Sequence, residues 1–133
     1  VTMSYFIGEL YLKYGQPEEG LTFIDRVLDH VNRTGTHIHT AELYRVKGVA
    51  LRALGKPTDQ VEACFEQALS IAKEQTTRTF ELRAKMELAK LRQEQGKTAE
   101  GHQLLQAMVQ SFTDGAASVD LQEATDLIHQ LEG

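Results

Sequence analysis

Residues Leu51–Leu69 read LRALGKPTDQVEACFEQAL, two segments of helical character parted by Gly55, Lys56 and Pro57. The same break returns in YLKYGQPEEGLTFIDRVL (Tyr11–Leu28) around Gly15, and in LRQEQGKTAEGHQLLQAMV (Leu91–Val109) around Gly96. The three glycines stand 40 and then 41 residues apart. Recurrence at that length marks stacked helical repeats, in which one unit cannot bury its apolar face alone and leans on the next.

Apolar residues recur at three- and four-residue spacing almost throughout, and strand-like alternation is nearly absent. The pattern predicts helices over about 2–14 and 17–32, 38–54 and 58–75, and 78–95 and 98–112. A closing helix is predicted over about 120–132. Pro17 suits an opening turn, where its missing N–H would have no partner anyway, and Glu18 and Glu19 suit the positive end of the helix dipole. The segment NRTGTH (Asn32–His37) ends the first pair. Gly55 and Gly96 can take the left-handed conformation that stops a helix. Thr98 is positioned to cap the sixth helix, DGAAS (114–118) reads as a loop, and Asp120 with Glu123 has capping-box spacing.

Aligning the breaks aligns the rest. Seven residues before them stand Gly8, Gly48 and Ala89, small enough for close backbone approach; four before stand Tyr11, Leu51 and, as a departure, Arg92. Beyond the breaks Gly20, Val61 and Gly101 are expected to face inward, followed by Ile24, Phe65 and Leu105, then Val27, Ala68 and Met108. This small–large–small pattern resembles the tetratricopeptide repeat in a form with longer helices. The resemblance covers essentially the whole chain. It implies an all-α fold, a TPR-like α-α superhelix of three helix pairs plus a C-terminal capping helix, as a single domain spanning 1–133.

A narrower resemblance lies in the phrases AELYRVKGVALRALGK, VEACFEQALSIAKEQ, FELRAKMELAKLRQEQGK and FTDGAASVDLQEATDLI, in that order. Through Ala41–Gly48, Glu62–Ala72, Glu81–Lys97 and Phe112–Ala124 the chain is similar to the C-terminal helical region of bacterial signalling proteins. In that group it follows a class III adenylate/guanylate cyclase or DNA-binding domain and an AAA/STAND-type ATPase. The tail departs from the group, with TDGAAS where a Gly-Phe turn is usual. None of the matching positions is catalytic in the group, and no GxxxxGK[ST] phosphate loop occurs here.

The 133 residues are 41% hydrophobic and 25% charged with two prolines, an ordinary composition for one domain. No apolar run approaches the roughly 20 residues that span a bilayer. The opening VTMSYFIGELYLKYG carries Glu9 and lacks the basic leader of a signal peptide, so no membrane partner is expected. It begins almost inside a helical pattern, as an excised piece of a longer protein would. A net charge of −5 speaks against nucleic acid as a partner. Cys64, the lone cysteine, allows no internal disulfide and suits a reducing cytoplasm.

No enzyme chemistry is legible. His37 and His39, two apart at a helix start, point away from each other and cannot share a metal without a bent backbone. His30, His102 and His129 have no Asp or Cys partner at useful spacing, and Cys64 beside Phe65 reads as a small buried thiol. The tyrosines and phenylalanines recur at core spacing. No cofactor is expected.

In stacked pairs of this kind the first helix of each pair lines the concave side. The alignment puts there Tyr5, Glu9, Leu12 and Lys13, then Glu42, Arg45, Val49 and Arg52, then Arg83, Met86, Lys90 and Gln93. Five of these twelve are basic and two acidic, an excess of three positive charges that would favour an acidic peptide or helix. The alternative is that these cations pair with glutamates on their own wall. Glu9 and Val49 stand where the chaperone-binding carboxylate-clamp subtype has Asn, which argues against that partner. The leading expectation is a non-catalytic protein-interaction module. A self-associating homodimer through the apolar ends of the stack is the second, and a small-ligand sensor the third.

Overall fold

The structure, a computed structural model, describes residues 4–35, 38–112 and 119–132. Seven helices follow one another: α1 (Ser4–Lys13), α2 (Pro17–Thr34), α3 (Thr40–Ala53), α4 (Thr58–Glu74), α5 (Arg78–Glu94), α6 (Thr98–Ser111) and α7 (Val119–Glu132). Among the described residues there is no strand. The odd-numbered helices form a row, α1 against α3, α3 against α5 and α5 against α7, while α2, α4 and α6 each pack only on the helices before and after them. That is an open α-α solenoid of three pairs with a capping helix, not a closed bundle.

The core is correspondingly distributed. Ile24, Leu28 and Val31 of α2 meet Leu43 and Val46 of α3. Leu51 of α3, Phe65, Ala68 and Leu69 of α4 and Leu88 and Leu91 of α5 form the middle cluster. The last cluster joins Leu82 and Met86 of α5, Leu105 and Met108 of α6 and Leu127, Ile128 and Leu131 of α7. Each cluster is shared by consecutive helices, so every pair supplies half of its neighbour's core. Val27, expected to face inward, is only half-buried, and Leu28 fills that place.

Close approach is the work of the small residues. A Cβ on Gly48 would lie 2.5 Å from the Phe65 ring, and one on Gly101 2.9 Å from the Ala89 carbonyl oxygen. Arg92, the departure from the apolar pattern, keeps its place because Glu62 Oε1 accepts from its Nη1 at 2.6 Å and Gln95 Oε1 at 3.1 Å. The bond to Glu62 is the largest influence on that guanidinium and raises its pKa.

All three glycine breaks are the same closure. The Gly55 N–H donates to the Arg52 carbonyl at 3.1 Å and the Lys56 N–H to the Leu51 carbonyl at 3.0 Å, with φ of 70° at Gly55. A fourth copy joins α4 to α5 without any glycine. Thr76, at φ 58°, donates its N–H to Lys73 at 3.1 Å, and the Thr77 N–H donates to Ala72 at 2.9 Å.

Two expected caps are not made. After Gly96 only Lys97 separates the helices, so Lys97 holds the cap position, without a side-chain bond, and Thr98 is already helical. Asp120 lies inside the first turn of α7, behind Val119, and its carboxylate is taken by Arg83. DGAAS lies outside the described residues.

Candidate functional site

The row of odd-numbered helices carries most of the projected groove. Tyr5, Glu9, Arg45, Arg83, Met86 and Lys90 line an open concavity of about 420 Å3, together with Phe6, Glu87, Val119, Asp120 and Glu123. Glu9 and Arg45 continue into a second hollow of about 300 Å3 with Leu12, Lys13 and Val49. Three projected residues line neither. Glu42 is buried, 1% exposed, beneath the arginines. Arg52 lies over the Phe65 ring, 5.6 Å from its centroid, and Gln93 faces solvent.

The arginines are committed to partners. Arg45 donates from Nε to Glu42 at 2.8 Å and reaches Glu9 at 3.3 Å. Arg83 donates from Nη1 to the other Glu42 oxygen at 2.6 Å. Its Nε and Nη2 hold both oxygens of Asp120 at 2.8 and 3.1 Å. Glu9, Arg45, Glu42, Arg83 and Asp120 thus form a continuous ion chain across α1, α3, α5 and α7. Beside it, Glu87 accepts from Arg52 at 3.1 Å and pairs with Lys90 at 3.5 Å. Burial alone would lower the pKa of the Arg45 and Arg83 guanidiniums; Glu42 outweighs it at Arg45, and Asp120 with Glu42 does so at Arg83. Both end well above the ordinary value and stay charged at any accessible pH.

This corrects the expected excess of positive charge. With Glu87, Asp120 and Glu123 added, five carboxylates meet five cations along the groove. Glu87 was missed because it occupies the repeat position of Val46, which reads as core, although its spacing of four from Arg83 and three from Lys90 was legible. Asp120 gave no local signal, since its partner lies 37 residues away. Lys13 and Lys90 are the groove cations that still face solvent.

Among the described residues no group of three or more His, Cys, Asp or Glu side chains could hold a metal ion. His37 lies outside them, and His39 stacks on Tyr5 at 5.3 Å, with the Phe80 ring tilted against it at 5.8 Å. Burial pushes the Cys64 thiol above its ordinary pKa, which leaves it a poor nucleophile. No described helix is long and apolar enough to cross a membrane.

The tetratricopeptide-repeat profile matches residues 1–74. Such repeats generally mediate protein–protein interaction and are typically non-catalytic scaffolds. A Podosopora anserina protein assigned as a kinesin light chain with nearly identical TPR-like repeats superimposes with a TM-score of 0.72 at 20% identity. The match covers 98% of this chain and 72% of that one. A variant of the same protein gives 0.71 at 19% identity over the same shares, 98% and 72%. Identity at this level speaks to the fold alone. No curated protein matches the chain. With over half of its length matched by the repeat profile and its helical course shared almost end to end, the chain belongs to the tetratricopeptide-repeat family.

Proposed function

We propose that this domain is a non-catalytic binding module that holds a peptide or helix of a partner protein along its concave groove. The observation that carries the reading is the 420 Å3 concavity itself, where exposed Phe6 and Val119 stand beside Tyr5 and Met86 and are ringed by Lys90 and Glu123. Apolar contact beside both signs of charge suits an extended or helical peptide better than a small metabolite. Because Arg45, Arg52 and Arg83 are held by shorter ion pairs, an acidic preference rests on exposed Lys13 and on Lys90, which reaches Glu87 only at 3.5 Å. The ligand would alternate apolar side chains with acidic ones spaced to meet these two lysines. The resemblance at Ala41–Gly48 and Glu81–Lys97 supports placing the module in a cytoplasmic bacterial signalling protein.

A displayed peptide library panned against the full chain tests the groove. Enriched peptides should share that alternation, and Lys90→Glu with Tyr5→Ala should weaken them about tenfold or more, roughly the loss of one central contact. Enrichment that survives both changes, or none at all, overturns the reading. Reversing Arg45 or Arg83 is the wrong test, since it would break the ion chain under the groove.

A further inference from the structure

The even-numbered helices form the other wall of the stack, and α4 and α6 do not pack on each other. Between them lies a hollow of about 470 Å3, floored by Leu88 of α5 and walled by Leu69 of α4 and Leu104 and Ala107 of α6. It sits inside the stack, with α2 and α3 before it and α7 after it. At the equivalent place one repeat earlier, Asp25 of α2 pairs with Lys47 of α3 at 2.9 Å. Aligned on the glycine breaks, Asp25 corresponds to Glu66 and Lys47 to Leu88. The carboxylate is kept and its lysine is gone. Glu66, half-exposed, reaches Arg92 only at 4.0 Å, and Glu100 on the facing wall stands 3.7 Å from the same guanidinium. Both distances exceed a hydrogen bond. Arg92 is already taken by Glu62 at 2.6 Å, and Lys85 at the edge of the hollow is matched by Glu81 at 3.2 Å. Four carboxylates against two cations leave an excess of two negative charges over an apolar floor.

We infer that this hollow receives a basic, apolar segment of a partner protein. Its arginine or lysine sits between Glu66 and Glu100, supplying the cation that Lys47 supplies one repeat earlier. Its neighbouring apolar side chains cover Leu69, Leu88 and Leu104. Charge complementarity selects the sign of the guest, because both carboxylates keep acceptor capacity that Arg92 does not use. Arginine suits the place better than lysine, since one planar guanidinium can donate to both walls at once. The apolar floor asks for more than a lone cation, and a helix with leucine-like residues three or four positions from its arginine meets both demands. The inference does not rest on the concave groove, for no residue lines both. α5 gives Arg83, Met86 and Lys90 to one and Lys85, Leu88 and Arg92 to the other, so the two can be filled together. The domain would then join two partner chains of different charge.

A displayed peptide library with arginine fixed among randomised apolar positions, panned against the full chain, tests it. Enriched peptides should bind about tenfold or more weakly to Glu66→Gln with Glu100→Gln, roughly the loss of a hydrogen bond to a charged group. Both residues are exposed, so the helical circular dichroism should not change. Glu18→Gln with Glu19→Gln removes as much charge from exposed positions of α2 and should leave binding as it was. Ala107→Arg, which lodges a tethered guanidinium in the hollow, should weaken binding as the first pair does. Lys90→Glu with Tyr5→Ala disables the concave groove and should leave these peptides bound. No enrichment, an equal loss with either pair of glutamines, or binding that survives Glu66→Gln with Glu100→Gln overturns the inference. So does a set of peptides lost with Lys90→Glu and Tyr5→Ala, since these would belong to the concave groove.

Discussion

Thr76 shows how a single residue can hold a place that its own chemistry disfavours. A β-branched side chain in the left-handed region clashes with its own backbone, whereas glycine does not. Three of the four closures use glycine at this point; only α4–α5 uses Thr76, at φ 58°. Its side chain is exposed. Thr76→Gly is therefore expected to stabilise the chain by about 1 kcal/mol through relief of strain, partly offset by the entropy glycine adds to the unfolded chain. A urea melt with an unchanged slope and a higher midpoint checks this. Residue types announced the glycine closures in advance, because the φ they require is one glycine tolerates. The break at QTTR was legible as a break, but its conformation was not, since nothing in a threonine advertises a positive φ.

At the scale of the element, α7 is the helix whose attachment was least visible in advance. Its apolar spacing at Ala124, Leu127, Ile128 and Leu131 identified it as a helix and identified its inner face. Asp120 was expected to cap its own N-terminus, and it instead reaches a guanidinium on α5. A local hydrogen bond competes with a bidentate charged pair here, and the charged pair is the stronger. Asp120→Asn should cost about 1.5–3 kcal/mol, the range for hydrogen bonds to a charged partner. The loss should be local. Hydrogen exchange ought to speed up along α7 while α3 and α4 keep their protection, because the inner apolar face still docks but opens more often. Uniform acceleration across the chain would show instead that α7 holds the whole stack together.

The ion chain belongs to the scale of the whole molecule, for it ties all four odd-numbered helices side by side. Glu42 is its centre, nearly without exposure, and both Arg45 and Arg83 depend on it. Removing one partner of a buried pair leaves uncompensated charge, at a cost of about 3–5 kcal/mol. Glu42→Ala is expected to fall in that range in denaturant unfolding, and Glu42→Gln, which keeps hydrogen-bonding capacity, to cost less. A loss below about 1 kcal/mol would mean that water already solvates the arginines in the folded state. The helical row explains why the groove was half legible. Alignment by the glycine breaks brought most of the twelve projected residues to the concave side, because helical period and repeat length together set which way a side chain points.

The local code of this chain determined its helices, their breaks, the small residues at the crossings and part of the concave wall, without Glu87, Asp120 and Glu123. All of these follow from periods of a few residues and from a spacing of about forty. The charge of that wall was decided only by tertiary structure. Arg83 finds Glu42 across 41 positions and Asp120 across 37, and Arg52 finds Glu87 across 35. Whether two such groups meet depends on the rotation and offset of neighbouring helices to within a few ångströms, which packing sets and hydrophobic spacing does not record.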